Sequence, residues 1–171
     1  MGRRLWRSIP VGFVAACTNA AAQPASTATS GPATSPNAVV ELVIDGDTID
    51  VTIDGDDERV RLIGIDTPET KQPDTPVECF GPEATAFTQS LLAPGTEVRL
   101  ERDIVGRDDY GRILAYVYRA SDGILVNYEI VRHGYATPLT FPPNVAHAER
   151  FVEAARAAER DDAGLWTRCR G

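Results

Sequence analysis

Short segments rich in β-branched and apolar residues recur along the chain and predict β-strands. The second and third segments are joined by Asp54-Gly55, a dipeptide typical of tight hairpin turns. In the fourth, Val98 and Leu100 alternate with charged neighbours, which indicates a strand with one buried face. The five predicted strands are Val39–Ile44, Thr48–Ile53, Arg59–Ile65, Thr96–Glu101 and Ile113–Tyr118.

Three stretches with apolar residues every three or four positions predict helices. The first extends from Pro82 to Pro94, and the second covers Val126–His133. The third runs from Asn144, a favourable N-cap residue, to about Asp161. The predicted buried positions are Ala84, Phe87, Thr88, Leu91 and Leu92 in the first helix, and Val145, Ala148, Phe151, Val152 and Ala155 in the third. Together the elements predict an α+β fold, a five-stranded OB-type β-barrel with three α-helices.

The N-terminal residues differ from the rest of the chain. Residues 1–16 carry three arginines and no acid, followed by a short apolar stretch, which is typical of a signal peptide. Val14-Ala15-Ala16-Cys17 is similar to the bacterial lipobox, in which the cysteine is lipidated. We therefore expect export, either as a lipoprotein anchored through Cys17 or by simple secretion.

Residues 17–38 contain no charged or aromatic residue and predict a disordered tether, because they cannot bury enough apolar surface to offset chain entropy. The folded domain is then expected over residues 39–171. No apolar run reaches the roughly 18–20 residues that a spanning helix needs, so membrane contact is expected only through a lipid on Cys17.

Composition and charge narrow the function. The 171 residues include 43% hydrophobic and 25% charged residues, which excludes a disordered or collagen-like chain. The formal charge is −8, and it becomes −11 once the three arginines of the predicted signal are removed. This acidic balance argues against a protein that coats the nucleic-acid backbone broadly.

Two cysteines lie in the predicted domain, Cys79 and Cys169. In an exported chain such a pair favours a disulfide, and no Cys-x-x-Cys or neighbouring histidine cluster indicates a metal site instead.

Acidic residues cluster at two points that suggest chemistry. Asp45 and Asp47 lie two positions apart, so on an extended chain their side chains face one side and could bind or support a cation; the alternative is a solvated turn. Further on, Arg61 precedes Asp66-Thr67-Pro68-Glu69, and Asp108-Asp109-Tyr110-Gly111-Arg112 opens the last predicted strand. Two arginines, a cation site and a carboxylate are the groups required to cleave a phosphodiester.

These motifs resemble the thermonuclease family, the calcium-dependent staphylococcal-nuclease-like domains. The resemblance extends from about Val40 to Trp166. The matching motifs are Ile44-Asp45-Gly46-Asp47-Thr48, Arg61-Leu62, Asp66-Thr67-Pro68-Glu69-Thr70, Gly81-Pro82-Glu83-Ala84, Asp108 with Tyr110-Gly111-Arg112, and Asn127 with Val131-Arg132 and Gly134.

The resemblance implies a Ca²⁺ site and a catalytic set. It assigns Ca²⁺ to the carboxylates of Asp47 and Asp66 and the backbone carbonyl of Thr67, with Asp45 in support. It assigns catalysis to Arg61 on the phosphate, Arg112 on the developing charge and leaving group, and Glu69 as a general base or as a residue that orients water. It implies hydrolysis of DNA and RNA, single strands preferred, to 3′-phosphate ends.

Substrate contacts are expected from Tyr110, Lys71 and Phe141. Asp109 stands where the family often has lysine, and the loop after Gly134 offers Tyr135 and Phe141 as candidates for stacking a base. Asp109 in place of lysine and the change of the stacking aromatic in this loop are departures from the family, and both predict weak substrate binding.

Three classes of function remain open at this point. The first is an exported, monomeric Ca²⁺-dependent nuclease acting on single-stranded DNA and RNA. The second is a catalytically silent single-strand-binding barrel, and the third is a surface adaptor. Only the nuclease needs the arginines and the acids together.

Overall fold

The computed structural model describes residues 34–70 and 76–169 of the 171-residue chain. Its strands are β1 Ala38–Val43, β2 Thr48–Ile53, β3 Asp56–Leu62, β4 Gly64–Asp66, β5 Glu97–Glu101, β6 Ile113–Arg119 and β7 Thr137–Leu139. Its helices are α1 Gly81–Leu91, α2 Val126–Arg132, α3 Ala148–Arg160 and α4 Leu165–Arg168.

Five strands close into a barrel in the order β1-β2-β3-β6-β5. The β2–β3 hairpin turns at Asp54 and Gly55, both with positive φ, as the Asp-Gly pair predicts. All barrel pairs are antiparallel except β3–β6, which is parallel and places Arg61 opposite Leu114. The α+β fold with a five-stranded OB-type barrel is therefore confirmed.

The barrel interior is filled by branched apolar side chains, which include Val40, Ile49, Val51, Val60 and Leu62. Helix α2 is joined to the barrel through the buried side chain of Asn127. Its Oδ1 accepts a hydrogen bond from the Val117 amide (2.9 Å), and its Nδ2 donates to the Ile63 carbonyl (2.9 Å). A buried amide with these bonds links the helix to β6 and to the chain between β3 and β4.

The structure corrects the start of the third predicted helix. Helix α3 begins at Ala148, not at Asn144, and Val145 is 47% exposed instead of buried. Asn144 exchanges two hydrogen bonds with the backbone of Val105, so this side chain joins two loops and does not cap a helix.

The third predicted strand, Arg59–Ile65, lies three residues earlier in the structure, and strand β7 and helix α4 have no predicted counterpart. Strand β3 ends at Leu62, because Gly64 takes a positive φ, and the next residues form β4, which pairs with β7 in a separate sheet. The fold also has a fourth, one-turn helix, α4, where three helices were predicted.

The Cys79–Cys169 disulfide is present, with the two Cα atoms 5.9 Å apart. The predicted signal peptide, Cys17 and most of the predicted tether lie outside the described residues, as does Lys71. Asn37, near the end of the predicted tether, exchanges two hydrogen bonds with the Leu100 backbone. Within the two described ranges, no helix has the length and apolar character to cross a membrane.

Candidate active site

Asp47 lies in the β1–β2 connection and is buried, with 6% of its surface exposed. Its Oδ2 accepts hydrogen bonds from the Thr67 amide (2.8 Å) and the Thr67 hydroxyl (2.9 Å). Gly46 allows this approach, since a Cβ at that position would lie 2.7 Å from the Thr67 side chain. The loop is also tied to α1, because the Thr88 hydroxyl donates to the Gly46 carbonyl (2.7 Å).

Arg61, near the end of β3, lies between two of the predicted calcium ligands. Its Nη2 is 3.2 Å from Asp47 Oδ2 and 3.1 Å from Asp66 Oδ1, while Nη1 donates to the Leu62 and Ile65 carbonyls. The guanidinium is thus fixed on both terminal nitrogens. The Arg61 guanidinium thus brings the carboxylates of Asp47 and Asp66 together.

Burial raises the pKa of Asp47 to about 6, and the nearby Asp45 carboxylate adds to the effect. Arg61 and the two hydrogen bonds from Thr67 act in the opposite direction. The pKa of Asp66, whose side chain is 54% exposed, is also raised, by partial desolvation and by the charges of Glu78 and Glu69. Both carboxylates therefore lie where further positive charge would be favourable.

The donor set fits a hard divalent cation. Carboxylate and carbonyl oxygens are the ligands that Ca²⁺ prefers. Asp47 Oδ1 accepts a long hydrogen bond from the Thr48 hydroxyl (3.4 Å). Among the described His, Cys, Asp and Glu side chains, no three form a metal-binding group. A cation here would be held by Asp47, Asp66 and the Thr67 carbonyl, with water completing its shell.

Arg112 precedes β6 and is held by Asp108. Its Nε donates to Asp108 Oδ2 (2.7 Å), and its amide donates to Oδ1 (2.9 Å), which also accepts from the Tyr110 amide (3.0 Å). Burial acts to raise the pKa of Asp108, but these hydrogen bonds and the Arg112 charge outweigh it and hold the pKa below its ordinary value. Asp108 is therefore a carboxylate that orients the guanidinium.

Arg61 and Arg112 line one cavity of 510 Å³, together with Tyr110 and Phe141. Both aromatic side chains are largely exposed, Tyr110 by 87% and Phe141 by 70%. The alternative stacking residue, Tyr135, instead packs on Phe87 with ring centroids 4.1 Å apart. The structure thus places Phe141, and not Tyr135, beside the arginines.

Glu69 lies in the loop after β4, outside the lining of this cavity as far as the structure describes it. Its Oε1 accepts a hydrogen bond from the Thr70 amide (2.7 Å), and its charge contributes to the raised pKa of Asp66. Glu69 therefore lies near Asp66 and outside the cavity that Arg61 and Arg112 line.

Two further residues contact this set and have no predicted role of their own. Asp108 was part of a motif, and its spacing of four from Arg112 was the available signal. Glu78 carried no signal except its place beside Cys79; its carboxylate accepts a hydrogen bond from the Glu69 amide (2.9 Å).

Comparison with known proteins identifies the family. The family model described as "Staphylococcal nuclease homologue" matches residues 59–168. The chain is 42% identical over 130 residues to a thermonuclease of Staphylococcus intermedius, covering 76% of each chain. It is 41% identical over 125 residues to a thermonuclease of Staphylococcus hyicus, covering 73% of this chain and 72% of the relative. It is also 35% identical over 134 residues to Endonuclease YncB of Bacillus subtilis, covering 77% and 62%. The chain therefore belongs to the staphylococcal nuclease homologue family.

Proposed function

We propose that this protein is a Ca²⁺-dependent nuclease that hydrolyses DNA and RNA. The observation that carries the proposal is the meeting of Arg61 and Arg112 in one cavity, with the carboxylates of Asp47 and Asp66 against Arg61. The relatives named as thermonucleases and as an endonuclease support the same class of reaction.

Charge at the site supports the dependence on a cation. Arg61 is paired with two carboxylates and Arg112 with one, and Asp109 lines the same cavity. The arginines alone therefore do not give the site a net positive charge. A divalent cation bound by Asp47, Asp66 and the Thr67 carbonyl would neutralise phosphate oxygens and supply a position for water.

The chain's own residues have separate tasks in this mechanism. Arg61 and Arg112 donate hydrogen bonds to nonbridging phosphate oxygens, with Arg112 stabilising the charge that develops as the P–O5′ bond breaks. Glu69 orients a water molecule, or accepts its proton, as the water oxygen bonds to phosphorus. The leaving 5′-oxygen takes up a proton, and the other product keeps a 3′-phosphate.

We infer a preference for single strands from the exposed aromatic side chains. Tyr110 and Phe141 flank the arginines and present faces on which unpaired bases could stack, a contact that a duplex does not offer. Lys71 stays a proposed substrate contact from the sequence.

The test is degradation of single-stranded DNA by the purified domain with millimolar Ca²⁺ and with a chelator. We expect turnover only with Ca²⁺, and a loss of at least about 100-fold in kcat for Arg112→Ala, as for removal of one charge-stabilising donor. Arg99→Ala is a matched control, since Arg99 pairs with Glu101 away from the cavity. Binding of single strands without turnover in Ca²⁺ would favour a silent binding module instead.

We also propose that the protein is exported and acts as a monomer, with residues 1–16 as the signal, 17–38 as the tether and 39–171 as the nuclease domain. The last two tether residues, Asn37 and Ala38, already join the folded domain. The disulfide supports an oxidising compartment. Mass spectrometry of the mature N-terminus would show whether Cys17 carries a lipid.

A further inference from the structure

The segment that carries Glu69 is fastened to the turn before α1. The Glu69 amide donates to Glu78 Oε2 (2.9 Å), and the Glu78 amide donates to the Glu69 carbonyl (2.9 Å). One residue therefore satisfies both backbone groups of Glu69. Such a reciprocal pair fixes the position and direction of the Glu69 peptide more firmly than either bond alone.

Glu78 is itself held by the two residues that follow it. Cys79 forms the disulfide with Cys169, which follows α4. Phe80 stacks on Tyr135 with ring centroids 5.2 Å apart, and it keeps a left-handed backbone with φ 71°. A non-glycine residue in this conformation persists only where its surroundings impose it.

The far end of the disulfide is also rigidly placed. The Leu165 amide donates to the Gly134 carbonyl (2.8 Å), so α4 lies against the end of α2. At Gly134 and Gly164 a Cβ would lie 2.3 Å and 2.2 Å from the facing backbone, so the two chain segments touch directly. The disulfide thus connects the segment of Glu69, through Glu78 and Cys79, to helices α2 and α4.

We propose that Glu78 is a positioning residue for Glu69, and that the Cys79–Cys169 disulfide keeps Glu78 in place for that task. The proposal rests on the nuclease function proposed above, in which Glu69 acts on water. Glu78 does not line the cavity of Arg61 and Arg112 in the described structure, so in this proposal it acts on the chemical step through Glu69 and not on substrate binding. Its charge also acts on Asp66, and Glu78→Gln separates that effect from the positioning of Glu69.

The central experiment compares Glu78→Ala with Glu78→Gln. The alanine variant loses the acceptor for the Glu69 amide, and we expect kcat to fall about five- to tenfold with KM nearly unchanged, since a misplaced catalytic group slows chemistry. The glutamine side chain keeps an oxygen at the same place, so Glu78→Gln should restore kcat to within about twofold. Glu153→Ala, an exposed acid on α3, is the matched control and should match the wild type.

The disulfide is tested by Cys79→Ser/Cys169→Ser, which should reproduce the fall in kcat at an unchanged KM. Equal kcat for wild type, Glu78→Ala and Glu78→Gln would overturn the proposal, and equal losses in both Glu78 variants would show a charge effect instead. A fall in melting temperature alone, with kcat preserved, would also contradict it.

A second measurement does not depend on activity or on variants. Hydrogen exchange at the Glu69 amide should accelerate at least about tenfold when the wild-type disulfide is reduced, while exchange in the β2–β3 hairpin stays constant. If the wild type shows no turnover, the proposed function fails. The exchange measurement still shows whether the disulfide holds the Glu69 amide in place. Unchanged exchange at Glu69 on reduction would reject the role of the disulfide.

Discussion

Asp108 holds Arg112 through both its side chain and its amide. Because a hydrogen bond between charged groups is worth about 1.5–3 kcal/mol, Asp108→Ala should lower kcat roughly 10- to 100-fold by leaving the Arg112 guanidinium unoriented. Steady-state kinetics on single-stranded DNA would measure the effect.

The neighbouring Asp109 provides the control. It lines the same cavity as Arg112, whereas the hydrogen bonds that hold the Arg112 guanidinium and amide go to Asp108. Asp109→Ala should keep kcat and lower KM, because it removes a negative charge from the path of a polyanion. Equal losses of kcat in the two variants would contradict the assignment of Asp108.

Asp47 gives the unfolding free energy a defined pH dependence in the absence of a cation. Burial raises its pKa from 3.8 to about 6, so between these values the folded protein holds a proton that the unfolded chain has released. The contribution of Asp47 to stability is complete below pH 3.8 and is lost as the pH rises through 6. By linkage the loss amounts to about 3 kcal/mol.

Chemical denaturation with chelator at several pH values, for the wild type and Asp47→Asn, would measure this difference. The asparagine variant cannot ionise, so the stability of the wild type relative to it should fall as the pH rises from 4 to 7. A constant difference over that interval would show that Asp47 titrates normally.

Not every part of the site was accessible to sequence reasoning. The resemblance to the thermonuclease family predicts roles for Asp47, Arg61, Asp66 and Thr67, and the structure brings these residues together, although twenty positions separate Asp47 from Thr67. Glu78 could not be predicted, because its partner Glu69 lies nine residues away and only the tertiary structure brings the two together.

At the scale of elements, the predictions worked where the pattern of apolar residues determined the fold. The five barrel strands lie within a few residues of their predicted ranges. The helix start at Asn144 failed, because an amide that can cap a helix can also join two loops, as it does with Val105. Strand β7 has only three residues and contains Pro138, so alternation could not reveal it.

The junction of α2 with the barrel depends on Asn127, which leads to a stability prediction. Asn127→Ala would leave the Val117 amide and the Ile63 carbonyl buried without their side-chain partner. We expect a loss of about 2–4 kcal/mol in the free energy of unfolding, since each unsatisfied buried group costs about 1–3 kcal/mol. Urea denaturation of the two proteins would measure it.

Asn37 offers a matched comparison. It makes the same two kinds of bond, to the amide and carbonyl of Leu100, but its side chain is exposed and water can replace it. Asn37→Ala should therefore cost about 1 kcal/mol or less. Similar losses for the two variants would show that burial does not set the cost at Asn127.

Across the whole molecule, the distribution of charged residues matters more for nucleic-acid binding than the formal net charge of −8. Away from the cavity, several arginines pair with surface acids, among them Arg59 with Asp50, Arg107 with Glu58 and Arg119 with Asp122. Such pairs contribute little to stability, but they leave no broad basic surface among them. We therefore expect nucleic acid to bind at the cavity lined by Arg61 and Arg112 and not along the rest of the surface.

The parallel pairing of β3 with β6 has a consequence for how this chain can vary. It places Arg61 opposite Leu114, two residues beyond Arg112, so the spacing of the two arginines is set by strand register. The residues between the two strands form β4, α1, β5 and the loops that join these elements. Insertions or deletions in those loops would leave the arginine spacing unchanged, so natural variation can reshape the surroundings of the cavity while the two arginines proposed to bind phosphate keep their places.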